Sequence, residues 1–274
     1  MSRAQALHTR IAAAILALVL GFSQQALTAQ SQPASVDTNA LLRVGVAYVP
    51  PPFVGGAKVR TPERTTSLLI TDLGKTLGRV PRLIQSNATS ASVPPGLVDI
   101  AVAELASDQV QAADDGWTAI ATGHETRPMA VMRTDTDIKS WSGLKGRTVC
   151  FSEDGRYRGR IAQRYGAVER VYRAPADSLL ALRIGECDAA VHDDTMLNAL
   201  LRFPEWQKFS ARLVLNETTQ QYLMIPADNQ ALVAAVQQAA DQWKKENYLN
   251  KLVADMARDI AFEVYLDQTV PDCH

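Results

Sequence analysis

Runs of apolar residues alternate along the chain with segments in which apolar positions repeat at helical spacing. LLRVGVAY at 41–48 has the apolar and β-branched content of a strand, and the prolines at 50–52 end it because proline cannot donate to a sheet ladder. TTSLLITDLGKTL at 65–77 has the spacing of an amphipathic helix. Strand-like runs follow at 80–85 and 97–103. This order of strand, helix and strands is typical of a parallel α/β sheet.

The same alternation of strands and helices begins again after about residue 138, following two extended pieces between Trp117 and Arg133. A long helical stretch occupies 229–256, with Asn247 as a candidate break. We therefore expect two similar α/β lobes in one chain. The predicted elements of the second lobe are a strand at 148–151, a helix at 157–165, a strand at 170–172, a helix at 177–184 and a strand at 188–191.

The N-terminus has the three parts of a secretory signal peptide. MSRAQALHTR is basic, IAAAILALVLGF is apolar, and SQQALTAQ offers small residues for cleavage. We expect cleavage after Ala29, with Ala26 or Ala34 as alternatives, followed by a flexible leader at 30–40. The apolar run is shorter than the about 20 residues that a membrane span needs, and no later segment is apolar for long enough. The sequence therefore predicts a soluble exported protein.

The composition argues against disorder and against a nucleic-acid partner. The chain has 274 residues, of which 47% are hydrophobic, which is enough for a large core. Its 28 Lys and Arg residues nearly balance its 29 Asp and Glu residues, so the basic surface that binds nucleic acid is not expected.

The three cysteines of an exported chain predict one disulfide and one remaining thiol. We favour the pair Cys150 and Cys187, because each lies in a strand-like segment of the same half. The alternative pair is Cys187 with Cys273, which would fasten the C-terminal tail. The spacings match no zinc pattern, and we expect no metal and no cofactor.

Acidic side chains follow two of the predicted strands. Glu104 comes directly after the strand at 97–103, and Asp193 with Asp194 follows the strand at 188–191. In an open α/β sheet, ligands collect beyond the carboxyl ends of the strands, so these acids stand where a ligand would be met. Tyr48 and Phe53 flank the proline stop, where they form either the wall of a site or the cap of a core.

Several segments resemble the extracellular solute-binding proteins of family 3, the polar amino acid type that serves ABC importers. WSGLKGRTVCFSEDG is similar to the family pattern "dLkGkkVgv..Gs", and ALRIGECDAAVHDD is similar to "aL..GrvDAvv.D". LRVGVAYVPPPF, LITDLGKTLG and LVDIAVA carry a weaker resemblance in the first half. The resemblance covers about residues 41–256.

The resemblance implies an α/β fold of the two-lobed periplasmic binding protein type II, in which each lobe is a mostly parallel sheet flanked by helices. Lobe one would comprise 41–132 with 221–274, and lobe two 133–220. The chain would cross between the lobes around 126–135 and 217–224. A ligand would be captured between the lobes, which close by a hinge motion.

Family members that bind amino acids receive the ligand's ammonium group on the acid that follows the lobe-two strand, which is Asp193 here. A carboxylate suits this role because a charge-assisted hydrogen bond is strong. Asp193 or Asp194 could instead cap the helix that begins at Thr195. The family also binds the ligand carboxylate at a helix start in lobe two, a place held here by Gly155 and Arg156. Arg156 is either a forked donor to the ligand or a solvated surface charge.

The chain departs from the family pattern in lobe one, where the usual carboxylate-binding arginine is missing. Arg127 is a candidate substitute from the crossover, and an equally good candidate for a hinge position. Glu104, Asp193, Asp194 and Asp154 would give the cleft an acidic lining that prefers cations. Arg127 and Arg156 favour a zwitterion instead, and the ligand stays open at this point.

The resemblance implies a periplasmic receptor, not an enzyme, that captures a small polar metabolite, either an amino acid or an amine. Its partners would be that ligand and the membrane permease of an ABC transporter, and its expected form is a monomer. One alternative is a lyase similar to cyclohexadienyl dehydratases, with Glu104 or Asp193 as general acid. Another is a protein that presents a ligand to a membrane sensor or to an oxidoreductase.

Overall fold

Two five-stranded sheets with flanking helices form the described part of the chain. In each sheet four strands run in one direction and one runs against them. The expected signal peptide, the leader, Phe53 and Cys273 lie outside the described residues. The computed structural model describes residues 41–52, 54–86, 96–112 and 116–269.

The first sheet defines lobe one. Its strand order is β2-β1-β3-β10-β4, and the strands are numbered in chain order. The helix α1 covers Thr66–Leu77 and ends at Gly78, whose φ of 63° is a left-handed conformation that glycine adopts without strain. A short helix, α2, covers Ser107–Ala112. The strands are β1 Leu41–Val46, β2 Val80–Gln85, β3 Ile100–Leu105, β4 Trp117–Thr126 and β10 Thr219–Pro226.

The second sheet defines lobe two, with the strand order β7-β6-β8-β5-β9. Two short 3₁₀ helices lie at Trp141–Leu144 and Pro204–Phe209. The strands are β5 Pro128–Met132, β6 Thr148–Ser152, β7 Val168–Tyr172, β8 Ala189–Asp193 and β9 Ala211–Val214. The helices are α3 Arg160–Tyr165, α4 Pro175–Arg183 and α5 Asp194–Leu200.

The C-terminal helical stretch consists of two helices that meet at Asn247. Helix α6 covers Gln230–Glu246 and α7 covers Tyr248–Asp267. Asn247 has a φ of 55°, the left-handed conformation that asparagine tolerates better than most residues. The predicted break at this residue is therefore present, and the helix after it is longer than expected.

The structure differs from the expected lobe division at two places. Residues 128–132 were assigned to lobe one, but β5 pairs with β8 and β9 in the second sheet. All five residues of β5 are buried, which fits a central strand covered on both faces. The C-terminal helices were assigned to lobe one as a whole, whereas α7 places Met256, Ile260 and Val264 in the core of lobe two. These residues recur every fourth position, so they form one stripe on the helix.

The chain passes between the lobes at Arg127, between β4 and β5, again in the segment that joins β9 to β10, and a third time along α7, whose Leu249 packs in lobe one and whose Met256 packs in lobe two. The first two passages lie near the expected crossings. In the described part of the chain, no helix combines the length and the apolar character that crossing a membrane requires.

A disulfide joins Cys150 and Cys187, the pair that the sequence analysis favoured. Cys150 lies in β6 and Cys187 lies just before β8, its neighbour in the sheet, with 5.9 Å between the two Cα atoms. Both residues belong to the buried core of lobe two. The bond therefore links β6 to the segment that leads into the neighbouring strand β8.

Candidate functional site

A cavity of about 450 Å³ lies between the two lobes. This volume is within the range of about 300 to 1,000 Å³ that is usual for small-molecule sites. Lobe one contributes the carboxyl ends of its strands, and lobe two contributes the loop that follows β6. The lining residues are Val46, Ala47, Tyr48, Pro50, Pro62, Arg64, Thr66, Ser67, Leu83, Val102, Glu104, Asp154, Gly155, Arg156, Tyr157, Arg158, Arg160 and Thr219.

Arg156 connects the lobes at the edge of this cavity. Its Nη1 lies 2.6 Å from Oε2 of Glu104 in lobe one, and its Nη2 lies 2.7 Å from both carboxylate oxygens of Asp193 in lobe two. It also donates to the hydroxyls of Thr219, at 3.2 Å, and Thr126. The Arg156 side chain is only 11% exposed, so one largely buried guanidinium is shared between two carboxylates.

Asp193 is held inside lobe two. Its Oδ1 accepts a hydrogen bond from the Tyr157 hydroxyl at 2.6 Å, in addition to the contacts with Arg156. Burial raises the pKa of Asp193, but the charge of Arg156 and the hydrogen bonds from Tyr157 and Arg156 outweigh burial and lower the pKa overall. Asp193 is therefore an ionised, fully engaged carboxylate that does not line the cavity.

Arg127 pairs with Asp194 and does not line the cavity. Its Nε donates to Oδ2 of Asp194 at 2.9 Å, and its backbone N–H donates to Oδ1 at 2.9 Å. The backbone N–H of Asp194 returns a bond to the Arg127 carbonyl at 3.0 Å. This closed set of contacts fixes the crossover against the start of α5, so the contacts of Arg127 support the hinge interpretation.

A second polar cluster between the lobes surrounds Glu63, which belongs to the segment between β1 and α1. Its Oε2 lies 3.1 Å from Nδ1 of His192 and accepts a hydrogen bond from the Ser152 hydroxyl. Its backbone N–H donates to Oδ2 of Asp154 at 2.7 Å. On the far side, Nε2 of His192 lies 2.8 Å from the Ser178 hydroxyl. A side chain of lobe one is thus inserted between the ends of β6 and β8.

The Glu63 cluster is almost completely buried, which shifts two of its pKa values. Burial and the neighbouring charge of Glu63 raise the pKa of Asp154 to about 6. Burial lowers the pKa of His192, but the charge of Glu63 and the weaker effects of Asp154 and Asp193 raise the pKa by more, so it lies above its ordinary value. Both shifts favour the protonated forms of Asp154 and His192.

Gly155 lines the cavity. The resemblance implied that a helix starts at this residue, but no helix starts there. Its N–H donates to the Ser152 carbonyl at 3.0 Å, and α3 begins only at Arg160. A Cβ at Gly155 would lie 3.0 Å from Oε2 of Glu63. The absence of a side chain at Gly155 therefore leaves the room that Glu63 occupies.

The aromatic residue that the sequence placed at the end of β1, Tyr48, lines the cavity. Its predicted companion Phe53 lies outside the described residues. Burial, Glu153 and Asp154 raise the pKa of Tyr48, while Arg158 and Arg173 oppose the shift. Tyr48 therefore offers an O–H donor at neutral pH.

Of the expected acidic lining, Glu104 and Asp154 line the cavity, whereas Asp193 and Asp194 do not. Of the four acids named for it, Asp193 and Asp194 are sequestered by Arg156 and Arg127, and Glu104 reaches the cavity already paired with Arg156. Asp154 lines the cavity with one oxygen bound to the Glu63 N–H. The lining instead includes four arginines, Arg64, Arg156, Arg158 and Arg160.

Sequence reasoning missed Glu63 and the arginines of the lobe-two loop other than Arg156. The run GRYRGR at 155–160 was the available signal, since it places three arginines beside the expected ligand position. Glu63 offered no signal, because it lies in a polar segment with no recognisable pattern. Within the described ranges, no group of three or more His, Cys, Asp or Glu is placed to hold a metal ion.

The two sheet orders and the cleft between the lobes define a two-lobed α/β fold of the periplasmic binding protein type II, which confirms the predicted fold class. The sequence itself matches no protein-family model and no curated protein. The fold is therefore recognised from solved structures.

Three solved structures illustrate the likeness. The P235GK mutant of ArgBP from T. maritima has a TM-score of 0.51 at 15% identity, and the match covers 79% of this chain and 95% of ArgBP. A protein from Bacillus subtilis has a TM-score of 0.52 at 18% identity, over 86% of this chain and 96% of that one. An ancestral cationic amino acid solute-binding protein, AncCDT-1, has a TM-score of 0.50 at 18% identity, over 79% and 95%. At these identities the likeness establishes the fold.

Proposed function

We propose that this protein is a periplasmic solute-binding receptor, which captures a small polar metabolite between its lobes and delivers it to the permease of an ABC importer. The observation that carries the proposal is the cavity of about 450 Å³, which both lobes line and which contains polar and apolar side chains together. Solute-binding proteins that share the fold, among them an arginine-binding and a cationic amino acid-binding protein by name, support the same role.

The contacts between the lobes support capture by closure. Glu104 and Glu63 of lobe one meet Arg156 and His192 of lobe two, and two non-helical connections, at Arg127 and between β9 and β10, join the lobes near these contacts. Connections of this kind can absorb the backbone changes of a hinge motion that opens and closes a cleft. A ligand that touches both lobes stabilises the closed form in proportion to its preference for that form.

The alternative of a dehydratase-like lyase gains no support from Asp193. A general acid must carry a proton, whereas the Arg156 charge holds the pKa of Asp193 below its ordinary value. The other candidate acid, Glu104, is engaged by the same guanidinium. We therefore assign the cleft a binding role without chemistry, in a protein that acts as a monomer.

A thermal-shift screen against amino acids, amines and organic acids tests the receptor role. One class of solute should raise the melting temperature according to the ratio of its concentration to its dissociation constant. Ser67→Trp places a bulky ring in the cavity and should abolish the shift, whereas Thr76→Trp, on an exposed position of the same helix α1, should preserve it. Conversion of the solute, detected by mass spectrometry, would contradict a pure receptor.

Two further measurements test the export and transport parts of the proposal. N-terminal sequencing of the exported protein should find cleavage after Ala29. Cells that lack the protein should lose uptake of the identified solute and regain it with the wild type, but not with Ser67→Trp. Unchanged uptake in such cells would contradict the importer role and favour delivery to a sensor or an oxidoreductase.

A further inference from the structure

A second cavity of about 320 Å³ adjoins the first. The two cavities share five lining residues, so they form one continuous cleft with two compartments. The shared residues are Tyr48, Pro50, Pro62, Ser67 and Asp154. A ligand longer than a single polar group can therefore reach both compartments at once.

Three arginines of this cleft take part in none of the ion pairs found among the described residues. Arg64 and Arg158 line the first compartment, and Arg173 lines the second. Arg64 donates from Nε to the backbone carbonyl of Asp154 at 2.7 Å, which leaves its Nη groups for other acceptors. A guanidinium beside a cavity, with no carboxylate of its own, is suited to bind an anionic oxygen of a ligand.

The other cations of the cleft are already engaged. Arg156 pairs with Glu104 and Asp193, and Arg160 lies 3.5 Å from Glu217. In the second compartment Arg60 pairs with Asp177 at 2.6 Å, with Asp267, and with Glu263 at 3.8 Å, and Lys58 also pairs with Asp267. Each of these cations has at least one carboxylate partner, so the cleft arginines without such a partner among the described residues are Arg64, Arg158 and Arg173.

Among the residues that the structure describes, two carboxylates line the two compartments, Glu104 and Asp154. Glu104 is paired with Arg156 at 2.6 Å, which offsets part of its negative charge. The pKa of Asp154 is raised to about 6, which weakens its negative charge below neutral pH. The field in the cleft therefore favours anions and disfavours ammonium groups.

We propose that the cleft binds a small organic acid with at least two carboxylates, one held by Arg64 and Arg158 in the first compartment and the other by Arg173 in the second. Tyr48, shared by both compartments, donates its hydroxyl between them, and the apolar side chains of the first compartment contact the carbon skeleton. This inference rests on the proposed receptor function and names its ligand class.

The contacts of Asp193, the acid that was expected to receive an ammonium group, also support this ligand class. Asp193 accepts from Arg156 and Tyr157 and does not line either compartment. An α-amino acid would therefore bring its ammonium group to a cleft whose lining carboxylates, among the described residues, are Glu104, already paired, and Asp154. The cost of removing that group from water without a partner carboxylate disfavours amines and basic amino acids.

Isothermal titration of the purified protein at one ionic strength tests the inference with defined probes. The anionic probes are malonate, succinate, glutarate and citrate, and the comparison probes are butyrate, inorganic phosphate, glutamate, arginine and putrescine. We expect one or more of the di- or tricarboxylates to bind, and butyrate, arginine and putrescine to bind at least tenfold more weakly. Affinity should fall as salt is added, because the contacts are ionic.

Two variants locate the contacts. Arg158→Gln and Arg173→Gln should each weaken binding of that acid about 10- to 100-fold, the loss expected for one charge-assisted hydrogen bond. Arg202→Gln, on an exposed arginine outside both compartments, should leave the affinity unchanged. Undiminished binding in both cleft variants would overturn the inference.

The outcomes separate this inference from the receptor function. Tight binding of arginine, putrescine or glutamate without binding of malonate, succinate, glutarate or citrate would show that the cleft selects an ammonium group, which would overturn the ligand class and leave the receptor function standing. Binding of phosphate alone would also overturn the ligand class, because the inference commits to carboxylates. Failure of every solute, in this set and in the wider thermal-shift screen, would overturn both.

Discussion

Oε2 of Glu63 lies 3.1 Å from Nδ1 of His192, and the two residues come from different lobes. His192 is fully buried, and Glu63 is 2% exposed. An acid of lobe one and an imidazole of lobe two therefore meet at a point that water does not reach. The contact joins the two lobes next to Asp154, whose Oδ2 accepts a hydrogen bond from the Glu63 N–H.

The charges around this contact predict a stability that increases toward mildly acidic pH. The folded-state pKa of Asp154, about 6, lies above its ordinary value of 3.8, so folding takes up a proton in this interval. The stabilisation is fully present below about pH 4 and is lost as the pH rises through about 6. His192 has the same sign, because its pKa is also raised and its contribution is lost as the pH rises through that raised value.

Denaturant unfolding between pH 4 and pH 7.5 measures this effect. The free energy of unfolding of the wild type, relative to Asp154→Asn, should fall by about 2 to 3 kcal/mol across that range, since one proton contributes about 1.4 kcal/mol per pH unit. Asp228→Asn, on an exposed acid, should show no such trend relative to the wild type. A difference between wild type and Asp154→Asn that does not vary with pH would contradict the prediction.

Removal of the Arg156 guanidinium should destabilise the fold strongly. Arg156→Met leaves Asp193, whose side chain is 5% exposed, without its cation, and an unpaired buried charge of this kind costs about 3 to 5 kcal/mol. Addition of Asp193→Asn should recover part of the loss, with a coupling free energy of about 2 kcal/mol in the double-mutant cycle. Arg202→Met should change stability by no more than about 0.5 kcal/mol. Additive effects of Arg156→Met and Asp193→Asn would show that the two residues are not coupled.

Elements encoded by local patterns could be predicted from the sequence. Helix α1 begins and ends within one residue of the expected bounds, because its apolar repeat and the following glycine act over a few residues. The break at Asn247 and the disulfide partners were also accessible, since strand-like segments in one half place Cys150 and Cys187 near each other. The bounds of β3 were less well predicted, and Glu104 lies inside that strand and not after it.

The partners of the charged groups could not be predicted, because they depend on how the lobes meet. Glu63 and His192 are separated by more than a hundred residues, and no local pattern marks their contact. The sequence suggested that Arg156 either binds ligand or faces solvent. In the structure its side chain is 11% exposed and pairs with the carboxylates of Glu104 and Asp193. The same contacts remove Asp193 from the cleft and reverse the expected charge of the lining.

The disulfide should supply a large part of the stability of lobe two. It closes a loop of 37 residues, for which the loss of chain entropy in the unfolded state corresponds to about 4 kcal/mol. A Cys150→Ala and Cys187→Ala double variant should therefore lose about 2 to 4 kcal/mol of unfolding free energy. A reductant should lower the stability of the wild type and leave that of the double variant unchanged. A wild type whose stability does not change in the reductant would show that this bond does not stabilise the lobe.

The turn between α6 and α7 depends on a residue that accepts a left-handed conformation. Asn247 has a φ of 55°, and its N–H donates to the carbonyls of Trp243 and Lys244, which would otherwise remain without a partner at the helix end. Stacking of the Trp243 and Tyr248 rings, with centroids 6.3 Å apart, fixes the two helices on either side of the turn. A β-branched side chain resists this backbone conformation, whereas glycine adopts it freely. Asn247→Val should lower the melting temperature and the unfolding free energy by about 1 to 2 kcal/mol, and Asn247→Gly should stay within about 0.5 kcal/mol of the wild type. Similar losses in both variants would indicate that the asparagine side chain, and not the backbone conformation, stabilises the turn.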